Sequence, residues 1–252
     1  MTGAVGGVAA STTGLSGRRT ARERAEGTAG ATLARHAGSL LAHGLTRLTV
    51  RGLDQLPQVG GVLLAINHTS LVDGPLLYGV VSRPIVFLVK QEAFRGPVGW
   101  VMDSLGQIPV RRGVPEREPL NAALATLAAG GIVGVFPEGT RTAGTVQQVQ
   151  RGVGYLALRA RCPVVPVACV GTERVLRRGH RLPRPGQPVT VAFGSPMSVG
   201  TPSGGASRSA ITDAADRVRD VLGAHVETTR AIHATTTSRS GVRGAANRKE
   251  VR

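Results

Sequence analysis

Short apolar runs alternate with amphipathic patterns through the middle of the chain. Helical patterns begin near Leu71, Pro97, Pro119, Val153 and Ser207. Runs rich in Val, Ile and Leu predict seven strands: RLTVRG (47–52), VLLAIN (62–67), PIVFLVK (84–90), GQIPV (106–110), IVGVF (132–136), CPVVPVACVG (162–171) and PVTVAF (188–193). Strands that alternate with helices predict an α/β fold, here a single domain with a mostly parallel central sheet flanked by helices.

The two ends of the chain lack this pattern. Residues 1–32 and 228–252 are polar and basic without a sustained period, so we expect both to be disordered and the folded domain to occupy residues 33–227. Residues 33–47 (LARHAGSLLAHGLTR) have the pattern of an amphipathic helix, which either lies on an anionic surface or packs on the domain.

The formal net charge of +16 predicts attraction to a polyanion: nucleic acid, an anionic bilayer or a phosphorylated small molecule. Aromatic residues make up only 3% of the chain and no Cys/His spacing indicates a zinc module, so no nucleic-acid partner is expected. No apolar run of about 20 residues predicts a membrane span, and the N-terminus does not have the order of a secretory signal. We expect a cytoplasmic protein, peripheral on the inner face of the cell membrane, with Cys162 and Cys169 as reduced core residues.

The first candidate site is Asn67-His68 followed by Asp73, where a predicted strand gives way to a helix. Ligands and reacting groups of α/β folds commonly lie at such strand ends. A histidine can take a proton from a hydroxyl near neutral pH when a carboxylate orients its ring. The alternative is that His68 is a satisfied polar residue and Asp73 a first-turn carboxylate favoured by the helix dipole.

Three further segments follow strands or form them. The segment at the end of the strand IVGVF is Phe136-Pro137-Glu138-Gly139-Thr140-Arg141. It contains a carboxylate and an arginine, and the arginine is suited to binding phosphate. The alternative is a strand-ending turn with a surface ion pair. The segment from Gly106 to Gly113 forms a short strand followed by Arg111 and Arg112. Taken alone, this segment is more typical of a solvated basic loop. The segment VVPVACVG (164–171) reads as a core strand.

In this order and at these separations, the four segments resemble the four blocks of the glycerolipid acyltransferase family, which includes bacterial 1-acyl-glycerol-3-phosphate acyltransferases. The resemblance covers roughly residues 47–195. Asn67, His68 and Asp73 match the first block, and residues 136–141 match all six positions of the third. Two departures are Arg111, where many relatives have an acidic residue, and Thr142, where Ser is frequent.

The resemblance implies transfer of a fatty acyl group from acyl-CoA or acyl-carrier protein to the hydroxyl of a lysophosphatidic acid-type acceptor. It implies that His68 is the general base and Asp73 its partner, with no metal and no cofactor beyond the acyl carrier as co-substrate. It also implies that residues across several segments hold the acceptor: Arg112, Glu138, Gly139, Thr140, Arg141 and, more weakly matched, Arg151. The alternative is a non-catalytic phospholipid- or polyanion-binding protein with the same fold.

Overall fold

Seven strands form one sheet in the computed structural model of the chain, which describes residues 29–111, 117–137, 151–177, 179–180, 182–200 and 207–246. The strands are β1 Thr46–Arg51, β2 Val62–Ile66, β3 Ile85–Lys90, β4 Ile108–Val110, β5 Ile132–Val135, β6 Val164–Val170 and β7 Gln187–Phe193. Each corresponds to a predicted apolar run. Their order across the sheet is β1-β7-β6-β2-β5-β3-β4.

All neighbouring strands are parallel except β6 and β7, so β1 and β7 run opposite to the other five. The helices are α1 Ala29–Ser39, α2 Asp73–Val80, α3 Gly96–Ser104, α4 Arg117–Ala128, α5 Arg151–Arg159, α6 Thr172–Val175 and α7 Arg208–Ala246. Single turns lie at Leu40–Gly44, Leu53–Gln55 and Gln91–Ala93. The predicted α/β class with a mostly parallel sheet flanked by helices is confirmed.

The sheet is apolar on both faces, which explains why its central strands read as unbroken apolar runs. On β2, Leu63 and Ala65 pack into one core with α4, α5 and α7. The alternate residues Val62, Leu64 and Ile66 pack into a second core on the opposite face, with α2 and the turn after α1. Successive strand side chains point to opposite faces, so one short run supplies both cores.

Helix α1 begins at Ala29, four residues before the predicted domain start, and packs against α2. A Cβ atom on Gly38 or on Gly79 would lie within 3.0 Å of backbone atoms of the other helix, so the two glycines permit this close approach. Residues 1–28 lie outside the described residues. None of the described helices is both long and apolar enough to span a bilayer.

The prediction that residues 228–252 form a disordered tail is wrong for residues 228–246, which continue α7. Val226, Thr229 and His233 extend the buried face of the helix beyond Leu222 at helical spacing. Threonine hydroxyls beyond 228 donate to carbonyls one turn earlier, as Thr229 does to His225 (2.8 Å) and Thr237 to His233 (2.8 Å). Tertiary packing therefore outweighs the low helix propensity of this Thr-rich segment.

Candidate active site

His68 and Asp73 lie together at the end of β2, as their spacing predicts. The His68 Nδ1 and Asp73 Oδ2 atoms are 3.0 Å apart. The same carboxylate oxygen accepts hydrogen bonds from the backbone N–H groups of Thr69 (2.9 Å) and Ser70 (2.8 Å). Asp73 is fully buried, while the His68 side chain remains 19% exposed. The loop thus fixes the carboxylate, and the carboxylate in turn holds one nitrogen of the imidazole.

Side chains of the loop after β2 also form hydrogen bonds to β6 and to the region of α6. The Asn67 amide donates to the Cys169 carbonyl (2.9 Å) and accepts from the Cys169 N–H (2.7 Å), so it continues the ladder beyond the end of β2. The Thr69 and Thr172 hydroxyls are 2.7 Å apart, and the Ser70 hydroxyl donates to the Leu176 carbonyl (3.1 Å). The family resemblance includes Asn67 but implies no role for it. Its pairing with Cys169 gives Asn67 a structural role, because it joins the end of β2 to β6.

An aromatic row supports the other side of the His68 ring. The ring of Phe136 lies 4.3 Å from that of His68 between centroids, and Phe87 stacks on Phe136 at 5.5 Å. Gln107 holds this row by accepting from the Phe87 N–H (2.7 Å) and donating to the Tyr78 hydroxyl (2.6 Å). Burial raises the pKa of Tyr78 far above its usual value, so its hydroxyl stays protonated and donates to the Ile85 carbonyl.

A cavity of about 720 Å³ opens beside His68. Its wall combines residues of α1, α2, α3, α5 and the central strands, most of them apolar. Apolar lining residues include Leu41, Leu71, Tyr78, Phe87, Val98, Val101, Met102, Leu105, Phe136 and Leu156. Because Nδ1 of His68 faces Asp73, its Nε2 is the ring nitrogen left for a bound molecule. The site therefore places one nitrogen of an imidazole beside a mostly apolar cavity.

The sequence model of the family described as Acyltransferase matches residues 47–170, which include β1 to β6 and the His68–Asp73 pair. This part of the chain belongs to the glycerolipid acyltransferase family.

Individual relatives of the acyltransferase domain agree with this assignment. The chain is 32% identical over 120 residues to a 1-acyl-sn-glycerol-3-phosphate acyltransferase of Bacillus subtilis, covering 47% of this chain and 60% of the relative. It is 30% identical over 137 residues to a chloroplastic one of Brassica napus, covering 52% and 39%. The chain thus spans less than two thirds of the length of these curated relatives.

A solved structure is similar over a longer stretch. The 1-acyl-sn-glycerophosphate acyltransferase of Thermotoga maritima has a TM-score of 0.65 and 27% identity to this chain, with 79% of each chain covered. This structural similarity therefore covers more of the chain than residues 47–170 and includes most of the fold described above.

Most acceptor-binding residues predicted for the acyltransferase domain lie outside the described residues: Arg112, Glu138, Gly139, Thr140 and Arg141. Arg151 begins α5, but its side chain also lies outside the description. The residues flanking this segment, Pro137 and Gly152, both line the cavity.

The sequence analysis did not single out Lys90. It ends β3, is exposed, and lines the cavity together with His68. The signal was present, since Lys90 is one of only two lysines in an arginine-rich chain and directly follows an apolar strand. Cys169, by contrast, is fully buried, and its burial followed by the nearby Asp73 charge raises the pKa of its thiol well above the usual value. Cys169 is therefore an unreactive core residue.

Proposed function

We propose that the protein is an O-acyltransferase that moves a fatty acyl group from acyl-CoA or acyl-carrier protein to the hydroxyl of a lysophosphatidic acid-type acceptor. The observation that carries this proposal is the His68–Asp73 pair at the wall of the apolar cavity. The names of the relatives agree with it, since both the Bacillus and the Brassica proteins are 1-acyl-sn-glycerol-3-phosphate acyltransferases.

In the proposed reaction, Nε2 of His68 removes the proton from the acceptor hydroxyl as its oxygen attacks the thioester carbonyl. Asp73 stays ionised and stabilises the imidazolium, because its Oδ2 accepts from His68 and from two backbone N–H groups. The tetrahedral intermediate then collapses, the carbon–sulfur bond breaks, and the imidazolium returns its proton to the leaving thiolate. These steps use no metal and no cofactor beyond the acyl carrier.

The fatty acyl chain and the phosphate of the acceptor need different surroundings. The apolar cavity suits a fatty acyl chain, which gains roughly 0.8 kcal/mol for each CH₂ group that it buries. Lys90 lines the same cavity and suits the phosphate of the acceptor as a point charge. We propose that Arg112, Arg141 and Arg151 add to this phosphate site, with Glu138, Gly139 and Thr140 beside them.

We also propose that the protein works in the cytoplasm at the inner face of the cell membrane. Its acceptor and product would be membrane lipids, and a chain of net charge +16 is attracted to a surface that carries anionic lipids.

Acyl transfer from labelled acyl-CoA to lysophosphatidic acid in detergent tests the proposal directly. We expect wild type to form phosphatidic acid and His68→Ala to lose about 10²- to 10⁴-fold in kcat, because the general base is removed. Asp73→Asn should lose activity as well, since a neutral amide cannot stabilise the imidazolium. His180→Ala, which changes an exposed histidine, is the matched control and should retain activity.

Lysophosphatidic acid binding by the same variants separates the enzyme from its alternative. If His68→Ala binds the lipid as wild type does and turnover is lost, His68 acts in catalysis. If wild type is inert with acyl-CoA and with acyl-carrier protein but binds the lipid, the non-catalytic phospholipid-binding alternative is correct. Equal turnover by wild type and His68→Ala would show that the proposed role of His68 is wrong.

A further inference from the structure

An arginine-rich segment follows β6 at the edge of the sheet that carries His68. This arginine segment, residues 172–186, contains five arginines against one acidic residue. Three of its arginines are exposed among the described residues: Arg174, Arg177 and Arg184. We propose that these three arginines bind the pyrophosphate and the 3′-phosphate of acyl-CoA, which makes CoA the acyl carrier that the protein uses.

Hydrogen bonds attach the start of the arginine segment to the loop that carries His68. The hydroxyls of Thr172 and Thr69 are 2.7 Å apart, and the Leu176 carbonyl accepts from the Ser70 hydroxyl (3.1 Å). Thr172 is fully buried, so this contact belongs to the packed interior. Thr69 and Ser70 are the two residues after His68, and the segment therefore begins directly against the loop of the proposed general base.

The arginine segment folds back on itself and brings its arginines onto neighbouring stretches of chain. The Arg184 N–H donates to the Val175 carbonyl at 2.7 Å, and Val175 lies between Arg174 and Arg177 in sequence. The acidic residue, Glu173, is 3.8 Å from the Arg174 side chain in an exposed pair, which contributes little. Three guanidinium groups against one carboxylate leave a local excess of positive charge.

The order of the strands separates the arginine segment from the cavity. Strand β2 lies between β6 and β5. The cavity extends on the side of β5 and β3, where Phe136 and Lys90 line it, and none of the described residues of the segment belongs to its wall. This step rests on the proposed function, in which the cavity takes an acyl chain and Lys90 faces the acceptor phosphate. The phosphates of the donor are then the anionic groups that remain for the β6 side of His68.

Acyl-CoA fits the arginine segment better than acyl-carrier protein does. CoA concentrates its negative charge in a pyrophosphate and a 3′-phosphate, and a guanidinium group can donate two parallel hydrogen bonds to a phosphate. A carrier protein would need a far wider contact, since stable protein interfaces bury roughly 800 Å² on each partner. The described arginines lie instead within one short connection between α6 and β7.

Calorimetric titration with free CoA tests the arginine segment without turnover. We expect wild type to bind CoA and Arg174→Gln/Arg184→Gln to bind it about tenfold more weakly or worse. Arg159→Gln/Arg161→Gln is the matched control, because it removes the same charge from two exposed arginines just before β6, at the other end of that strand. This control should bind CoA as wild type does. Both variants should unfold at the wild-type denaturant midpoint, since all four side chains are exposed.

Steady-state kinetics distinguish a donor site from an acceptor site. In Arg174→Gln/Arg184→Gln the KM for acyl-CoA should rise about tenfold, whereas kcat and the KM for lysophosphatidic acid should stay near their wild-type values. Arg174→Lys/Arg184→Lys should recover part of the loss, because lysine keeps the charge but not the paired hydrogen bonds of a guanidinium group.

Three outcomes would overturn the proposed CoA site. Equal CoA binding by wild type and Arg174→Gln/Arg184→Gln, or an equal loss in the control, would mean that the place of these arginines does not matter. A raised KM for lysophosphatidic acid with an unchanged KM for acyl-CoA would mean that they hold the acceptor phosphate. A raised KM for acyl-carrier protein with unchanged CoA binding would mean that they contact a carrier protein.

The catalytic proposal can fail independently of this one. His68→Ala should bind CoA as wild type does, even though it is expected to lose acyl transfer. A wild-type protein that binds CoA through Arg174 and Arg184, yet forms no product with any acceptor, would reject the acyltransferase and support the CoA site.

Discussion

The imidazole of His68 is held by a carboxylate at one nitrogen and by an aromatic ring at its face. The carboxylate was predictable, because His68 and Asp73 are close in sequence and flank a strand end. The ring contact was not, because Phe136 is distant in sequence and reads simply as the end of an apolar strand. Local spacing thus predicts the contact between His68 and Asp73, whereas the aromatic support of His68 depends on how β2 and β5 are paired.

Gly134 determines whether this aromatic support can form. A Cβ atom at Gly134 would lie within 3.0 Å of the Phe87 ring, which stacks on Phe136. We expect Gly134→Ala to displace Phe87, to reduce the free energy of unfolding by about 1–3 kcal/mol, and to lower kcat by misplacing His68. Chemical denaturation and the acyl-transfer assay measure the two effects.

A second substitution separates crowding from other effects of Gly134→Ala. Adding Phe87→Leu should recover part of the lost stability, because the smaller side chain leaves space for the new methyl group. Gly223→Ala is the control, since a Cβ atom at Gly223 in α7 meets no atom within 4 Å and should stabilise the helix by roughly 0.5–1 kcal/mol. Wild-type stability of Gly134→Ala would contradict the crowding argument.

At the scale of elements, α7 shows where sequence reasoning was least successful. The sequence predicted a helix that begins near Ser207 inside a domain ending at residue 227, but the following TTRAIHATTTSRS contains few residues that favour a helix. The information that continues the helix is the burial of Thr229 and His233 against the sheet, which a polar composition conceals. A histidine and a threonine at helical spacing after an apolar face were the available signal.

His233 makes the packing of this part of α7 sensitive to pH. Its Nδ1 hydrogen-bonds the Thr190 hydroxyl of β7 at 2.9 Å, and its Nε2 is buried without a described partner. Burial, and then the nearby Arg174 charge, lower the pKa of His233, while Glu173 opposes this effect. The folded protein therefore binds this proton less readily than the unfolded chain does. Stability from neutral His233 is present above about pH 6.5 and is lost as pH falls through the lower folded pKa.

We expect the free energy of unfolding of wild type to decrease more steeply on acidification than that of His233→Gln. Glutamine keeps a hydrogen-bonding side chain near Thr190 but does not titrate. Denaturant titrations between about pH 5 and 8 give both slopes. His180→Gln, at an exposed histidine, should keep the wild-type slope. Identical slopes for wild type and His233→Gln would mean that His233 is protonated without cost in the folded state.

At the scale of the whole molecule, the seven strands were predictable from sequence but their arrangement was not. Each apolar run is a local property, so every predicted strand is present. The placement of β6 between β2 and β7, and the reversed direction of β7, depend on contacts between distant residues. One such contact is the pairing of Asn67 with Cys169, which joins β2 to β6 beyond the regular ladder. The phosphate-binding roles of Arg112, Arg141 and Arg151 stay predictions, because the structure does not describe the side chains of these arginines.

The net charge of +16 predicts a strong effect of salt on the location of the protein and a weaker effect on its chemistry. Salt shortens the screening length from about 10 Å at 0.1 M to 3 Å at 1 M, which weakens the attraction of a basic protein to anionic vesicles. We therefore expect binding to phosphatidylglycerol vesicles to decrease with salt. Acyl transfer to a detergent-dispersed acceptor should decrease less. Cosedimentation and turnover over the same salt series provide the comparison. Equal dependence of both would tie the charge to substrate binding, whereas tight DNA binding that displaces vesicles would support a nucleic-acid partner.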